Sequence, residues 1–250
     1  MRLRNPMAAS IALLLVLTGC ATVPYTNRRQ FNILSEDDEM KMGTQAYADV
    51  KTKNKISHDP QVNAAVERVG KRIAAAADKP DYHWEFVVID DPKTVNAFCL
   101  PGGKIAVYTG ILPLTKDEEG LAVVLGHEVS HALAHHGAER ISDQDLMTLP
   151  LAVILEGQSE EAQSLAQEAF GIGIALPFSR KQESEADHIG LILMAKAGYD
   201  PRGAVPFWER MAKLMAGQAP PSFLSDHPSD AQRIGKIKEE LPEALTYYKP

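Results

Sequence analysis

The hydrophobic period changes twice along the chain. Ser35 stands before an acidic first turn, and residues 36 to 54 carry the spacing of a helix. Asp59-Pro60 is an N-cap followed by proline at the first helical position, opening "QVNAAVERVGKRIAAAA". The period then shortens. "HWEFVVID" and "TVNAFCLPGGKIAVYTG" are rich in β-branched and aromatic residues, with Pro101-Gly102-Gly103 as the turn between two strands. From Thr115 the spacing is mostly helical to the end, with Gly198 closing one helix and Asp200-Pro201 capping the next. Thr115 and Glu118 have the spacing of a capping box, which predicts a helix from about Lys116 through His136. Helices, a small sheet and more helices predict an α+β fold, mostly helical, with the sheet preceding the Lys116–His136 helix. The later apolar runs "LPLAVILEG" and "FGIGIALPF" are too short to span a bilayer.

The amino terminus follows another logic. "MRLR" is basic, "IALLLVLTG" is apolar, and "LTGC" closes the run at Cys20, the order of an export signal. Leu-Thr-Gly-Cys resembles the bacterial lipobox, in which the cysteine sulfur is acylated and becomes the new amino terminus. This divides the chain into a lipoprotein signal peptide (1–19), a lipidated tether (20–34) and one domain (35–250). Ala21 is not the aspartate associated with inner-membrane retention, so the expected location is the outer membrane, facing the periplasm, with the lipid on Cys20 as the membrane contact. Removing residues 1–19 takes Arg2 and Arg4 and no acid. The 26 Lys and Arg less those two leave 24 against 33 Asp and Glu. So acidic a chain has no electrostatic footprint for nucleic acid. With Cys20 lipidated, Cys99 has no partner, and it reads as a small buried strand residue.

Candidate chemistry is concentrated in "LAVVLGHEVSHALAHH", which holds four of the eight histidines. His127 and His131 are four apart and leave one helix face, with Glu128 between them. His-Glu-x-x-His is the pattern in which two imidazoles grip zinc and the glutamate polarises a water. A third ligand is required. The spacing His-Glu-x-x-His-x-x-Gly-x-x-His fails, because Ala134 and Gly137 stand where its glycine and third histidine belong. On a straight helix His135 lies too far from His127 to share the metal, so His135 and His136 read as surface or packing residues. A later helix offers Glu183, Glu185 and Asp187. Glu183 and Glu185 are about 200° apart around it, so only one can face the cleft.

"HEVSHALAHH" followed by "SRKQESEAD" resembles the HtpX and CAAX prenyl protease family of gluzincin metallopeptidases, whose Ser-Arg-x-x-Glu-x-x-Ala-Asp pattern falls on Ser179, Arg180, Glu183, Ala186 and Asp187. "VNAFCLPGGKIAVYTGIL" and "LSDHPSDAQRI" resemble two further family segments, the latter placing His227 and Arg233. The family's membrane-embedded members have several spans and this chain has none, so it looks more like a periplasmic lipoprotein branch. The resemblance implies a zincin-like fold, one Zn2+ held by His127, His131 and Glu183, and Asp187 orienting a zinc-binding histidine. Glu128 would act as the general base. Polypeptide substrate, from unfolded or misassembled envelope proteins, is expected along an edge strand at Gly103, Lys104, Ile105, Ala106 and Val107. His227 has three readings: a plug in zinc's open position, an oxyanion donor, or an idle loop histidine. A mainly non-proteolytic assembly factor or holdase for outer-membrane proteins, its site normally closed, is the alternative function.

Overall fold

The computed structural model describes residues 20–148, 178–215, 223, 226–227 and 232–249. Two short strands, β1 (Cys20–Thr22) and β2 (Arg29–Phe31), pair antiparallel. Two long helices follow, α1 (Glu36–Lys53) and α2 (Pro60–Ala77). The predicted caps hold: the Ser35 side chain accepts from the Asp38 amide, and Asp59 accepts from Gln61 and Val62 ahead of Pro60. A three-stranded sheet comes next, made of β3 (Glu85–Ile89), β4 (Ala97–Leu100) and β5 (Lys104–Tyr108). The short α3 (Leu112–Thr115) leads into α4 (Glu118–Leu133) and α5 (His136–Thr148). The described chain ends with α6 (Arg180–Lys196), α7 (Ala204–Met215) and α8 (Arg233–Tyr247). The α+β expectation is borne out.

Four local expectations need correction. The strand order is β3-β5-β4, so Lys104–Tyr108 is the middle strand, parallel to β3 and antiparallel to β4. Gly103 to Val107 therefore offer no edge to a substrate. The edge beside the cleft is β4. Residues Lys104 to Val107 are buried without alternation, as a strand covered on both faces must be.

The helix start also differs. Thr115 ends α3, its hydroxyl donating to the Leu112 carbonyl at 2.9 Å, and Asp117 caps α4 by accepting from the Gly120 amide at 2.9 Å. At the other end α4 stops at Leu133. His135 turns the chain in the left-handed region (φ 51°), and His136 opens α5 in a new direction.

Finally, residues 20–34 are not a loose tether. Val23 is fully buried in the main core, Gln30 Nε2 donates to the Ala134 carbonyl at 2.8 Å, and the Ile33 amide donates to Ser142 Oγ at 2.9 Å. The run "LPLAVILEG" lies outside the described residues, as does "FGIGIALPF" except for Phe178. Among the described residues no helix is long and apolar enough to cross a membrane.

The core is organised by α4. Every residue from Gly120 to Leu133 is buried, because α2, β4 and α6 close around it. Its tightest neighbour is α6, and the two backbones meet at Gly126 and Gly190. A Cβ on Gly126 would lie 2.9 Å from the Gly190 carbonyl oxygen, and one on Gly190 would lie 3.0 Å from the His127 nitrogen. Neither contact can be relieved by turning a side chain. Gly126→Ala is therefore expected to destabilise by about 1–3 kcal/mol in urea unfolding, although alanine is the better helix former. Gly137→Ala is the matched control. Nothing lies within 4 Å of its added carbon, and its stability should stay level or rise by up to about 1 kcal/mol.

Candidate metal centre and active site

Three segments converge on one point. His127 and His131 project from the same face of α4, Glu183 comes from the first turn of α6, and His227 comes from the segment ahead of α8. His127 Nε2 and His131 Nε2 stand 3.1 Å apart. Glu183 reaches them at 3.5 and 3.3 Å. His227 Nδ1 lies 3.2 Å from His127 Nε2 and 3.0 Å from Glu183 Oε1. All four are buried.

The orientation of the rings tests whether this group suits a metal. His127 Nδ1–H donates to Asp187 Oδ1 at 3.0 Å, which leaves Nε2 facing the cluster, the atom that a metal takes in place of a proton. His131 Nδ1 faces His136 Nδ1 at 2.8 Å, so its Nε2 faces the same point. Lone pairs and a carboxylate aimed at one spot repel unless a proton or a cation sits among them. Ligands bound to zinc at about 2.0–2.1 Å on a tetrahedron are about 3.3 Å from one another. The observed separations bracket that value, and two imidazoles with a carboxylate are a donor set zinc accepts. The residues fit Zn2+.

Electrostatics agree. Burial would raise the Glu183 carboxyl, yet the His127 charge and the close His127, His131 and His227 rings hold it well below the usual carboxylate range. Burial pushes the His131 imidazole well below its ordinary value. It would do the same to His127, but Glu183 and Asp187 outweigh it and lift that ring to about 9. Arg233 donates to Glu183 Oε2 at 3.0 Å and to Asp187 Oδ1 at 2.7 Å, while its guanidinium lies 3.4 Å from the Trp208 ring centre. It balances the two acids and fixes their rotamers.

Glu128 is also buried, and it lies outside the group of converging ligand atoms, on the far side of His227. Burial raises its carboxyl, and Oε1 has no hydrogen-bond partner. His227 Nε2 lies 3.5 Å from that oxygen. His227 thus spans the distance between the ligand cluster and the base. Phe223 stacks on one side of its ring at 4.6 Å, and Phe178 lies on it at 5.1 Å. The adjoining cavity, of about 110 Å³, is lined by residues 96–101 along β4, with Glu128, His131, Arg140 and Phe178.

The structure brings together every candidate ligand, along with Glu128, Asp187, His227 and Arg233. It leaves Gly103–Val107 behind in the sheet. Cys20 begins β1, and Cys99 lies half-buried in β4. Three residues with a role at the site were missed. His136 is fully buried rather than at the surface, and it holds His131. Glu185 is not a ligand but accepts from His136 Nε2 at 3.0 Å. Arg28 Nε donates to Glu185 at 2.7 Å. The His135-His136 doublet was the one available signal.

The family pattern described as Peptidase family M48 matches residues 60–241. The chain belongs to that family. It is 44% identical over 227 residues to the mitochondrial metalloendopeptidase OMA1 of Schizosaccharomyces pombe, covering 89% of this chain and 66% of that one. It is 32% identical to the Saccharomyces cerevisiae protein of the same name over 264 residues, covering 94% and 75%. It is also 27% identical to the beta-barrel assembly-enhancing protease of Yersinia pestis over 218 residues, covering 82% and 44%. The chain thus spans from under half to three quarters of the length of these relatives. Mitochondrial and bacterial proteins both match, so the family expectation stands, while its narrowing to a periplasmic lipoprotein branch does not follow from them. The zinc-metallopeptidase reading holds for family and site alike.

A proton on His127 competes with the metal. With that ring at about 9 in the metal-free protein, binding displaces one proton throughout the neutral range. Zn2+ affinity should therefore rise about tenfold per pH unit between pH 6 and 8. Competition against a chelator of known pH dependence measures it, and a flat profile would mean that the ring is already neutral.

Proposed function

We propose that this chain is a zinc-dependent metalloendopeptidase of the bacterial cell envelope, hydrolysing unfolded or misassembled periplasmic and outer-membrane proteins. The observation that carries the hydrolytic part is the position of Glu128: a buried carboxyl, its Oε1 without a hydrogen-bond partner, beside the convergent ligands and lining the cavity under β4. Zn2+ supplies a Lewis acid for the scissile carbonyl and acidifies the attacking water. Glu128 takes the water proton and delivers it to the leaving amine, a shuttle favoured by a carboxyl whose pKa burial has raised. β4 is the sheet edge at the cleft. An extended polypeptide pairing with it would sit beside Glu128, which selects segments free of their own secondary structure.

His227 is the regulatory element of this reading. Its ring fills the space between ligands and base that a water needs, which supports a plug rather than an oxyanion donor. The segment is tied to the start of β4: the Phe223 amide donates to the Val95 carbonyl at 2.8 Å, and Asn96 Nδ2 donates to Asp226 Oδ2 at 2.8 Å. A substrate strand entering along β4 competes for that position, so binding would help to withdraw the plug. The same plugged geometry is what favours the alternative, an assembly factor whose site is normally closed.

Envelope location rests on the signal and lipobox-like segment at residues 1–20, and the bacterial relative's printed name supports the substrate class. In this reading Cys20 is acylated and holds the protein at the outer membrane. Cys20→Ser should move it from the membrane to the soluble fraction, or block its processing; an unmodified Cys20 thiol by intact mass would remove the anchor from the proposal.

Degradation of β-casein tests the activity. Glu128→Gln should keep full zinc content and lose cleavage by about a thousandfold or more, whereas Glu183→Gln should lose both. His227→Ala should cleave faster than the parent. Zinc-loaded parent and His227→Ala protein that both leave β-casein intact would favour the assembly factor instead.

A further inference from the structure

The two zinc-facing imidazoles are held in different ways. His127 donates directly to a carboxylate, Asp187. His131 has no carboxylate on its Nδ1; it meets a second imidazole, His136, at 2.8 Å, and His136 Nε2 meets Glu185 Oε2 at 3.0 Å. Glu185 is in turn held from the amino-terminal hairpin. Arg28 Nε donates to Oε2 at 2.7 Å, and the Thr26 hydroxyl donates to Oε1. The other nitrogens of Arg28 bind Glu139 of α5 and Gln30 of β2. Glu139 also accepts from Gln182 of α6 at 2.8 Å, and Gln30 caps the carbonyl of Ala134 at the end of α4.

One proton arrangement satisfies every link while leaving His131 Nε2 a lone pair. His131 Nδ1–H donates to His136 Nδ1, His136 Nε2–H donates to Glu185, and Glu185 accepts from Arg28 and Thr26. If His136 instead placed its proton on Nδ1, His131 Nδ1 would have to accept it. Its own proton would then sit on Nε2, aimed at the ligand cluster. A negatively charged Glu185, fixed by Arg28, makes the first arrangement the stable one.

We propose that Arg28, Glu185 and His136 are positioning residues that set the tautomer and orientation of His131, so that the amino-terminal hairpin is a working part of the metal centre. This hairpin precedes the family match, which begins at residue 60. The relay is internal to the protein and makes no contact with substrate. It rests on Zn2+ occupying the His127–His131–Glu183 site.

The test uses the full chain and Zn2+ alone, with affinity measured by chelator competition and the His131 tautomer read by long-range proton–nitrogen NMR correlation in the metal-free protein. Glu185→Gln and Arg28→Met should each weaken Zn2+ binding about tenfold, and His136→Leu should weaken it by about ten- to a hundredfold. His136→Gln, whose amide can accept from His131 and donate to Glu185, should recover most of that loss. The double variant Arg28→Met with Glu185→Gln should be no worse than the more affected single variant, because both break the same chain. Arg68→Met, which removes an exposed ion pair with Glu118, controls for loss of an arginine. If His136→Leu fails to fold, Arg28→Met and Glu185→Gln carry the test. Parent-like affinity and an unchanged His131 tautomer in both would overturn the relay. A parent chain that binds Zn2+ no better than Glu183→Gln would instead refute the metal assignment beneath it.

Discussion

The contact on which the rest depends is the backbone approach of α4 and α6 at Gly126 and Gly190. Helices with ordinary side chains at the crossing sit about 8–10 Å apart. Here the absence of two Cβ atoms lets main chain touch main chain, one residue from His127. That proximity lets a short glutamate on one helix share a ligand point with two histidines on the other. It also carries Asp187 to the outer side of the His127 ring, and Glu185 to His136, which meets the outer side of His131. The burial of nearly the whole of α4 then follows, since a helix approached this closely on one face and covered by α2 and β4 on others keeps little exposure.

A buried cluster of this kind holds more charge than a core tolerates unless the groups are paired. Glu183, Glu185, Asp187 and Glu139 are matched by Arg233, Arg28 and imidazole protons. Arg233 and Arg28 come from opposite ends of the sequence and clamp α6 from two sides. Glu128 is left out of this pairing. Its Oε1 has no hydrogen-bond partner, as suits the proposed exchange of protons with something that comes and goes.

The parts legible in the sequence were those set by local spacing. His127 and His131 lie one helical turn apart, and Ser35 and Asp59 cap the helices that follow them, so their geometry needs no tertiary information. Glu183 was singled out among three nearby acids by family resemblance, since periodicity says only that Glu183 and Glu185 face different ways. The end of α4 was misjudged because nothing local forbids a helix through "HALAHH"; the reversal at His135 comes with tertiary links such as Glu39 to its ring and Gln30 to the Ala134 carbonyl. Once that end moved, His136 ceased to be a surface residue. Strand order was equally hidden, because a strand's own sequence does not name its neighbours. The unbroken burial of Lys104 to Val107 is nevertheless the mark of a middle strand.

The centre is gathered from widely separated parts of the chain, from Arg28 in the first hairpin to Arg233 at the start of the last helix, with Arg28 and Glu185 alone lying 157 residues apart. During synthesis these parts leave the ribosome at different times. A nascent chain that stops short of Arg233 already carries His127, Glu128, His131 and Glu183, yet it lacks the cation that balances Glu183 and Asp187. In such a fragment Glu183 and Asp187 face each other without their shared guanidinium. Completion of the site is thereby tied to the arrival of Arg233, long after its histidines have been made.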